Sequence, residues 1–228
     1  MKWLIEFLFR SSIGQKIIMS LSGLFMILFL VIHLLGNLQL LAQDEGMSFN
    51  VYTYFMTHNP LIKTISYLLY ATILLHSVQG IYLYLQNRKA KGKTYAVSSR
   101  VGDSFFSRYM MHLGIIILIF LIIHLWQFWL QMKLGNLNMV QYSGDDKSYK
   151  DLYTPVKFAF ANAYYVLFYV LSMIVLAFHL WHGFHSAFQS LGLRHPKYSG
   201  LIRLIGYAYS IFIPLGFAYI PIFMFFNS

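Results

Sequence analysis

Residues 113–130 read L-G-I-I-I-L-I-F-L-I-I-H-L-W-Q-F-W-L, and from Tyr109 to Met132 the chain carries no Asp, Glu, Lys or Arg. A helix needs about 20 apolar residues to cross a hydrocarbon core of about 30 Å, so this stretch predicts a membrane span. The apolar run does not alternate with polar residues as a strand would. In lipid, moreover, backbone groups must be satisfied within a helix or a closed barrel. The stretch therefore reads as helix, with one ionisable ring, His124, set among Ile, Leu and Trp.

The same reading carried outward gives five spans: Gln15–Ala42, Leu61–Asn87, Phe105–Met132, Phe158–Gly192 and Leu204–Phe226. The predicted fold is an all-α integral membrane protein, a single transmembrane domain over residues 1–228 whose first four helices form a four-helix bundle. The fourth segment is longer than a bilayer requires, which predicts an extension into the cytoplasm or a tilt. Met1–Arg10 is short and amphipathic with no small-residue cleavage site, so residues 1–14 are expected to lie on the membrane surface and not to act as a signal peptide. No repeat, low-complexity stretch or second domain is evident.

Composition agrees with this class. The 228 residues are 58% hydrophobic and 11% charged, against about a quarter charged in soluble domains, and the mean hydropathy is +0.59. All seven acids, Glu6, Asp44, Glu45, Asp103, Asp145, Asp146 and Asp151, fall outside the long apolar runs, as lipid demands. A net charge of +10 invites a nucleic-acid reading, but the basic residues sit in short loops beside the spans, and membrane topology explains them better. Twelve Lys and Arg, in the N-terminal segment, the Arg88–Arg108 loop and the Arg194–Arg203 loop, lie on one side; five lie on the other. The excess places the N-terminus in the cytoplasm. There are no cysteines, which excludes disulfides, cysteine-ligated iron–sulfur clusters and covalent c-type haem in this chain.

Four histidines lie deep in spans: His33 in LVIHLLGN, His76 in TILLHSVQG, His124 in FLIIHLWQF and His179 in VLAFHLWHG. A polar ring in hydrocarbon marks function by default; a single one is also explained by a hydrogen bond to a neighbouring helix. One in each of four consecutive helices needs more. At 1.5 Å per residue, His33 and His124 lie roughly 24–28 Å from the cytoplasmic starts of their helices, and His76 and His179 roughly 16–20 Å from the cytoplasmic ends of theirs. Two rings thus fall in the outer half of the membrane and two in the inner half. Each pair comes from helices of one direction, diagonal in an up-down-up-down bundle. That is the arrangement a bis-imidazole haem requires, and it predicts two b haems. Gly80 and Gly183 follow His76 and His179 by four residues, on the same helix faces, where they would give a macrocycle room or serve close helix packing.

The remaining histidines divide by position. His182 is one turn from His179 and is either an alternative ligand or a donor to a haem propionate. His112 and His185 are expected near cytoplasmic helix ends, where propionate, partner or solvent could meet them. His58 lies outside and could face a quinone, and His195 reads as a solvated loop residue.

Together these stretches resemble a known family. The opening S-S-I-G-Q-K-I-I-M-S-L-S-G, then H-L-L-G-N at His33, L-L-H-S-V-Q-G-I-Y at His76, I-I-H-L-W at His124 and F-H-L-W-H-G-F-H-S-A-F-Q-S-L-G at His179 are similar, over nearly the whole chain, to the five-helix di-haem cytochrome b membrane-anchor subunit of bacterial succinate dehydrogenases and fumarate reductases. The resemblance implies that His33 and His124 ligate an outer, distal haem iron and His76 and His179 an inner, proximal one; the spacing to Gly192 selects His179 over His182. It implies location in the bacterial cytoplasmic membrane and a cytoplasmic flavoprotein with FAD that carries the dicarboxylate chemistry. An iron–sulfur subunit would pass electrons through the haems to menaquinone or another membrane quinone. No nucleic acid is implied. Some members carry a carboxylate two residues before the fourth-span ligand for proton movement; here that residue is Ala177. Rival readings are an intramembrane-histidine transporter, for which the spans lack an acidic or hydrophilic path, a haem-free anchor, and a di-haem cytochrome b of a hydrogenase or formate dehydrogenase.

Overall fold

A computed structural model describes residues 2–90 and 105–227. A short helix α1 (Lys2–Arg10) turns at Ser11 into α2 (Ser12–Asn37). Ser11 begins α2 because its Oγ accepts the Gly14 N–H at 2.9 Å, filling one of the donors a helix start leaves open. Gly14 has to be glycine: a methyl group there would stand 2.1 Å from the Phe7 carbonyl oxygen, so only a bare backbone lets α1 fold back against α2. After α2 the chain tightens into a 3-10 turn, Leu38–Leu41. Then come α3 (Met47–His58) and α4 (Pro60–Ala90). Pro60 takes the first helical position, where its missing N–H costs nothing, and Asn59 accepts the Leu61 and Ile62 N–H groups.

The third span is α5 (Phe105–His124), a π-helical stretch at Leu125–Leu130 and a last turn α6 (Gln131–Leu134). A small antiparallel hairpin follows, β1 (Met139–Gln141) paired with β2 (Ser148–Lys150), with Val140 opposite Tyr149. The chain continues as α7 (Tyr153–Phe160), α8 (Ala163–Ser190) and α9 (Ser199–Phe226).

Five stretches are long and apolar enough to cross a membrane: Ser12–Leu41, Pro60–Lys89, Tyr109–Leu134, Ala163–Ser190 and Ser199–Phe226. Their side chains are arranged as lipid requires. Leu28, Leu74, Ile122 and Phe212 stand exposed, while Gln15, Ser22, Thr72, Gln79, Ser172 and Ser210 are buried between helices. Gln79 donates to the Gln15 carbonyl at 2.6 Å, an internal satisfaction of polar groups that a bilayer makes obligatory. The chain is an all-α, multi-pass membrane protein.

The fourth segment differs from the single long helix expected over Phe158–Gly192. It breaks at Ala161–Asn162, where the Asn162 side chain accepts the Tyr164 and Tyr165 N–H groups and starts α8 afresh. Phe158 and its neighbours belong to α7, so the excess length is a separate helix, not a tilt. The hairpin was also unforeseen, since it lies in a polar loop where span analysis gives no signal. Lys91, Lys93 and Arg100, which helped to set the predicted orientation, lie outside the described residues.

Helix α2 packs on α4 and α8, and α5 packs on the same two. The four form a ring in the order α2, α4, α5, α8, with α2 diagonal to α5 and α4 diagonal to α8. Helix α9 lies outside the ring against α8 and α2, where the Tyr209 hydroxyl donates to the Ile27 carbonyl at 2.5 Å. At one end α3, the hairpin and α7 gather into a cap. Asn50, 1% exposed, is its knot. The Asn50 amide donates to the Tyr142 hydroxyl at 2.8 Å and to Asp151 at 3.1 Å. Its carbonyl accepts the Leu152 and Tyr153 N–H groups at 3.0 and 3.2 Å.

Candidate functional site

Each diagonal of the bundle carries one pair of imidazoles. His33 on α2 and His124 at the end of α5 meet with ring centres 5.8 Å apart and planes nearly perpendicular, at 86°. His76 on α4 and His179 on α8 meet at 6.4 Å and 64°. The first pair lies toward the cap and the second toward the side of α1. Their spacing follows from the helices: Gly23 of α2 stands beside His76 and Gly114 of α5 beside His179, each ten residues before the other histidine of its helix. Ten residues at 1.5 Å put about 15 Å between the two levels.

The environment decides which ring nitrogen is free. Ser22 Oγ donates to the Met19 carbonyl at 3.0 Å and lies 3.0 Å from His76 Nδ1. With its one proton on the Met19 carbonyl, the Ser22 oxygen is free to accept from His76 Nδ1–H, the tautomer that leaves Nε2 open. His124 Nδ1 lies 3.1 Å from the Tyr169 hydroxyl. Asn37 donates to the His33 backbone carbonyl at 2.7 Å and stands 3.4 and 3.5 Å from its two ring nitrogens. His179 Nδ1 is buried with no hydrogen-bond partner. Among the described residues, no hydrogen bond engages Nε2 of His124 or His179.

A b haem suits this donor set. Two imidazoles that share one metal ion at about 2.0–2.1 Å per bond have ring centres roughly 6.4 Å apart, the separation of His76 and His179 and somewhat more than the 5.8 Å of His33 and His124. Neutral imidazoles in facing pairs are a ligand set for iron. Rigid neighbours hold the rings: Phe29 stacks on His33 at 5.1 Å, Phe120 on His124 at 5.7 Å, and Phe217 of α9 leans on His33 at 5.6 Å.

The glycines singled out by spacing and those beside the rings are different residues. A Cβ at Gly80 would meet the Met19 methyl at 3.1 Å and one at Gly183 the Met110 methyl at 3.5 Å, whereas Gly23 and Gly114 come within 3.4 and 3.8 Å of the His76 and His179 rings. The four contacts repeat. Met19, Gly23 and His33 of α2 are matched by Met110, Gly114 and His124 of α5, and His76 and Gly80 of α4 by His179 and Gly183 of α8. The spacings are identical in both sets. The hairpins α2–α4 and α5–α8 are thus equivalent halves, a repeat hidden in the sequence by unequal loops.

Of the other histidines, His182 is half-buried one turn from His179, and the ring opposite His76 is that of His179. His185 Nδ1 is buried without a hydrogen-bond partner, and His112 is exposed beside Tyr109. His58 stacks on Tyr54 at 3.9 Å and lines a small pocket under the cap with Asn50, Thr53, Thr57 and Lys150. His195 stacks on Tyr198 in an exposed loop. The partners of the paired rings, Ser22, Tyr169 and the flanking glycines, were missed by sequence reasoning. Gly23 and Gly114 could have been found by counting depth from each histidine on the adjacent helix. Comparison with protein-family patterns, curated proteins and solved structures gives no match for this chain.

Proposed function

We propose that this chain is the cytochrome b membrane-anchor subunit of a succinate:quinone oxidoreductase, either a succinate dehydrogenase or a fumarate reductase. It would sit in a bacterial cytoplasmic membrane with its N-terminus inside. The observation that carries the reading is the pair of facing imidazoles on each diagonal of one bundle, at two levels. His33 with His124, and His76 with His179, would hold one b haem each. When bound, the haems supply one-electron exchange between ferric and ferrous iron.

The chain's own residues do the rest. The spans exclude water and keep the imidazoles neutral, Ser22 and Tyr169 orient two of the rings, and with two imidazoles on each iron the group would supply electron transfer and not oxygen binding. On the α1 side, Arg88, Lys89, Arg194, Lys197 and Arg203 offer a basic surface to an iron–sulfur subunit and a flavoprotein with FAD. The subunit then passes electrons between that partner and menaquinone or another membrane quinone. The dicarboxylate chemistry belongs to the flavoprotein, and this part of the reading rests on the sequence resemblance.

The test is a reduced-minus-oxidised spectrum of the purified complex with pyridine haemochrome quantitation. Two b haems per chain are expected, and His76→Ala and His179→Ala should each remove the same one. Both haems retained in either variant would refute that ligand assignment, and a colourless complex would overturn the whole reading. Reduction of the b absorption by succinate, and by neither formate nor hydrogen, assigns the partner; the reverse would place the chain with another oxidoreductase.

A further inference from the structure

The hydrogen bonds around His124 extend well beyond its first neighbour. Tyr169 lies on α8 and is buried at 6% exposure, with its ring wedged at 5.0 Å from both Phe120 and Phe160. One turn earlier, the Tyr165 hydroxyl stands 3.4 Å from that of Tyr169 and donates to the Gln127 side-chain oxygen. Gln127 belongs to the π-helical stretch that starts one residue after His124. Widened turns of this kind are frequent at functional sites; here the turn carries Gln127 to Tyr165. The break at Asn162 contributes as well, because it sets where α8 begins and so places Tyr165 and Tyr169, four residues apart, on one face toward α5.

The chain of contacts has a direction. An amide oxygen only accepts, so the single Tyr165 proton goes to Gln127. The Tyr165 oxygen then accepts from the Tyr169 hydroxyl, and the Tyr169 oxygen, with its own proton spent, accepts from His124 Nδ1–H at 3.1 Å. The reverse order would put the ring proton on Nε2 and make that nitrogen useless as a ligand. His179 in the other pair has no such support, since its Nδ1 has no partner.

We propose that Tyr169 is a positioning residue for His124: with Tyr165 and Gln127 it holds the ring proton on Nδ1 and sets how strongly His124 Nε2 donates to the iron shared with His33. The inference rests on the haem reading above. A ring that donates its second N–H is a more basic ligand, and a more basic ligand favours ferric over ferrous iron. Loss of the acceptor therefore raises the midpoint potential of that haem alone.

Tyr169→Phe keeps the buried ring and removes only the oxygen. In the intact, purified complex, redox titration of the b absorption should show two haems. The couple that His124→Ala abolishes should move upward, with an altered low-spin ferric signal in electron paramagnetic resonance, while the other couple stays in place. Gln127→Leu, away from the aromatic packing, should shift the same couple in the same direction by a smaller amount. Two haems with both couples unmoved in Tyr169→Phe overturns the proposal, as does a shift confined to the other couple. If Tyr169→Phe loses haem, Gln127→Leu decides: a shift sustains the relay and no shift overturns it. A wild-type complex without haem would instead defeat the reading on which the relay rests.

Discussion

Replacing Asn50 with alanine removes four hydrogen bonds at one point. The Tyr153 N–H loses its acceptor, the Leu152 N–H keeps only the Lys150 carbonyl at 3.1 Å, and Tyr142 and Asp151 lose a donor. A buried polar group stripped of its partner costs about 1–3 kcal/mol. Tyr153 is only half-buried, so the low end applies to it, and the Lys150 carbonyl and water repair the Leu152, Tyr142 and Asp151 contacts at smaller cost. The total is about 1–2 kcal/mol, or roughly a 5- to 30-fold increase in local opening. The loss should be confined to the cap, because the five spans are held by contacts Asn50 does not make. Hydrogen–deuterium exchange of the complex, followed on peptides covering residues 139–160, should accelerate by that factor with span peptides unchanged. Unaltered exchange at Leu152 and Tyr153, or loosening of all spans together, would refute the assignment of Asn50 as the cap's knot.

Gly23→Leu directs a side chain at the His76 ring, which a Cβ alone already approaches to 3.4 Å; haem content should fall from two per chain to one, and Gly114→Leu should delete the same one. Two haems in a folded Gly23→Leu complex would contradict the need for space beside that ring. In the hairpin, the bond from the Tyr149 hydroxyl, helped by the Lys147 N–H, holds the Asp145 carboxyl below the usual carboxylate range, and the same bond pushes Tyr149 up to about 12. A lowered carboxylate stabilises above its unfolded value of about 3.9 and ceases to as pH falls through its folded value; a raised phenol stabilises fully below about 10 and ceases to as pH rises through about 12. A nuclear magnetic resonance titration of labelled Tyr149 should find a midpoint well above 10 that drops toward 10 in Asp145→Asn; a native midpoint at 10 would disprove the contact.

Much of this architecture is legible in the sequence because lipid is a strict solvent. Uncharged runs must be helices, and depth counted along them places His33 with His124 and His76 with His179 on bundle diagonals, where the rings do meet. The break at Ala161–Asn162 escaped because Phe158–Phe160 and Tyr164–Tyr165 are equally apolar, so hydropathy runs unbroken across a polar residue that caps a helix. The π-helical stretch after His124 escaped because L-W-Q-F-W-L reads as ordinary helix; its register depends on packing against α4 and α8. The halves do not read as a repeat in the sequence because few positions correspond, and the two histidines of a half are 43 residues apart in one and 55 in the other. Tyr169 and Ser22 carry no signal of their own, since a tyrosine or serine in a span becomes informative only once the ring opposite is known.

Because each hairpin contributes one ring to each diagonal, neither half can finish a site alone. Synthesis proceeds from the N-terminus, and the chain would gain its two ring pairs in a set sequence. The cap-side pair has both members once α5 has entered the bilayer, whereas the other waits for α8. Ribosomal arrest between the third and fourth spans would thus leave a nascent protein with one imidazole couple assembled and His76 still solitary.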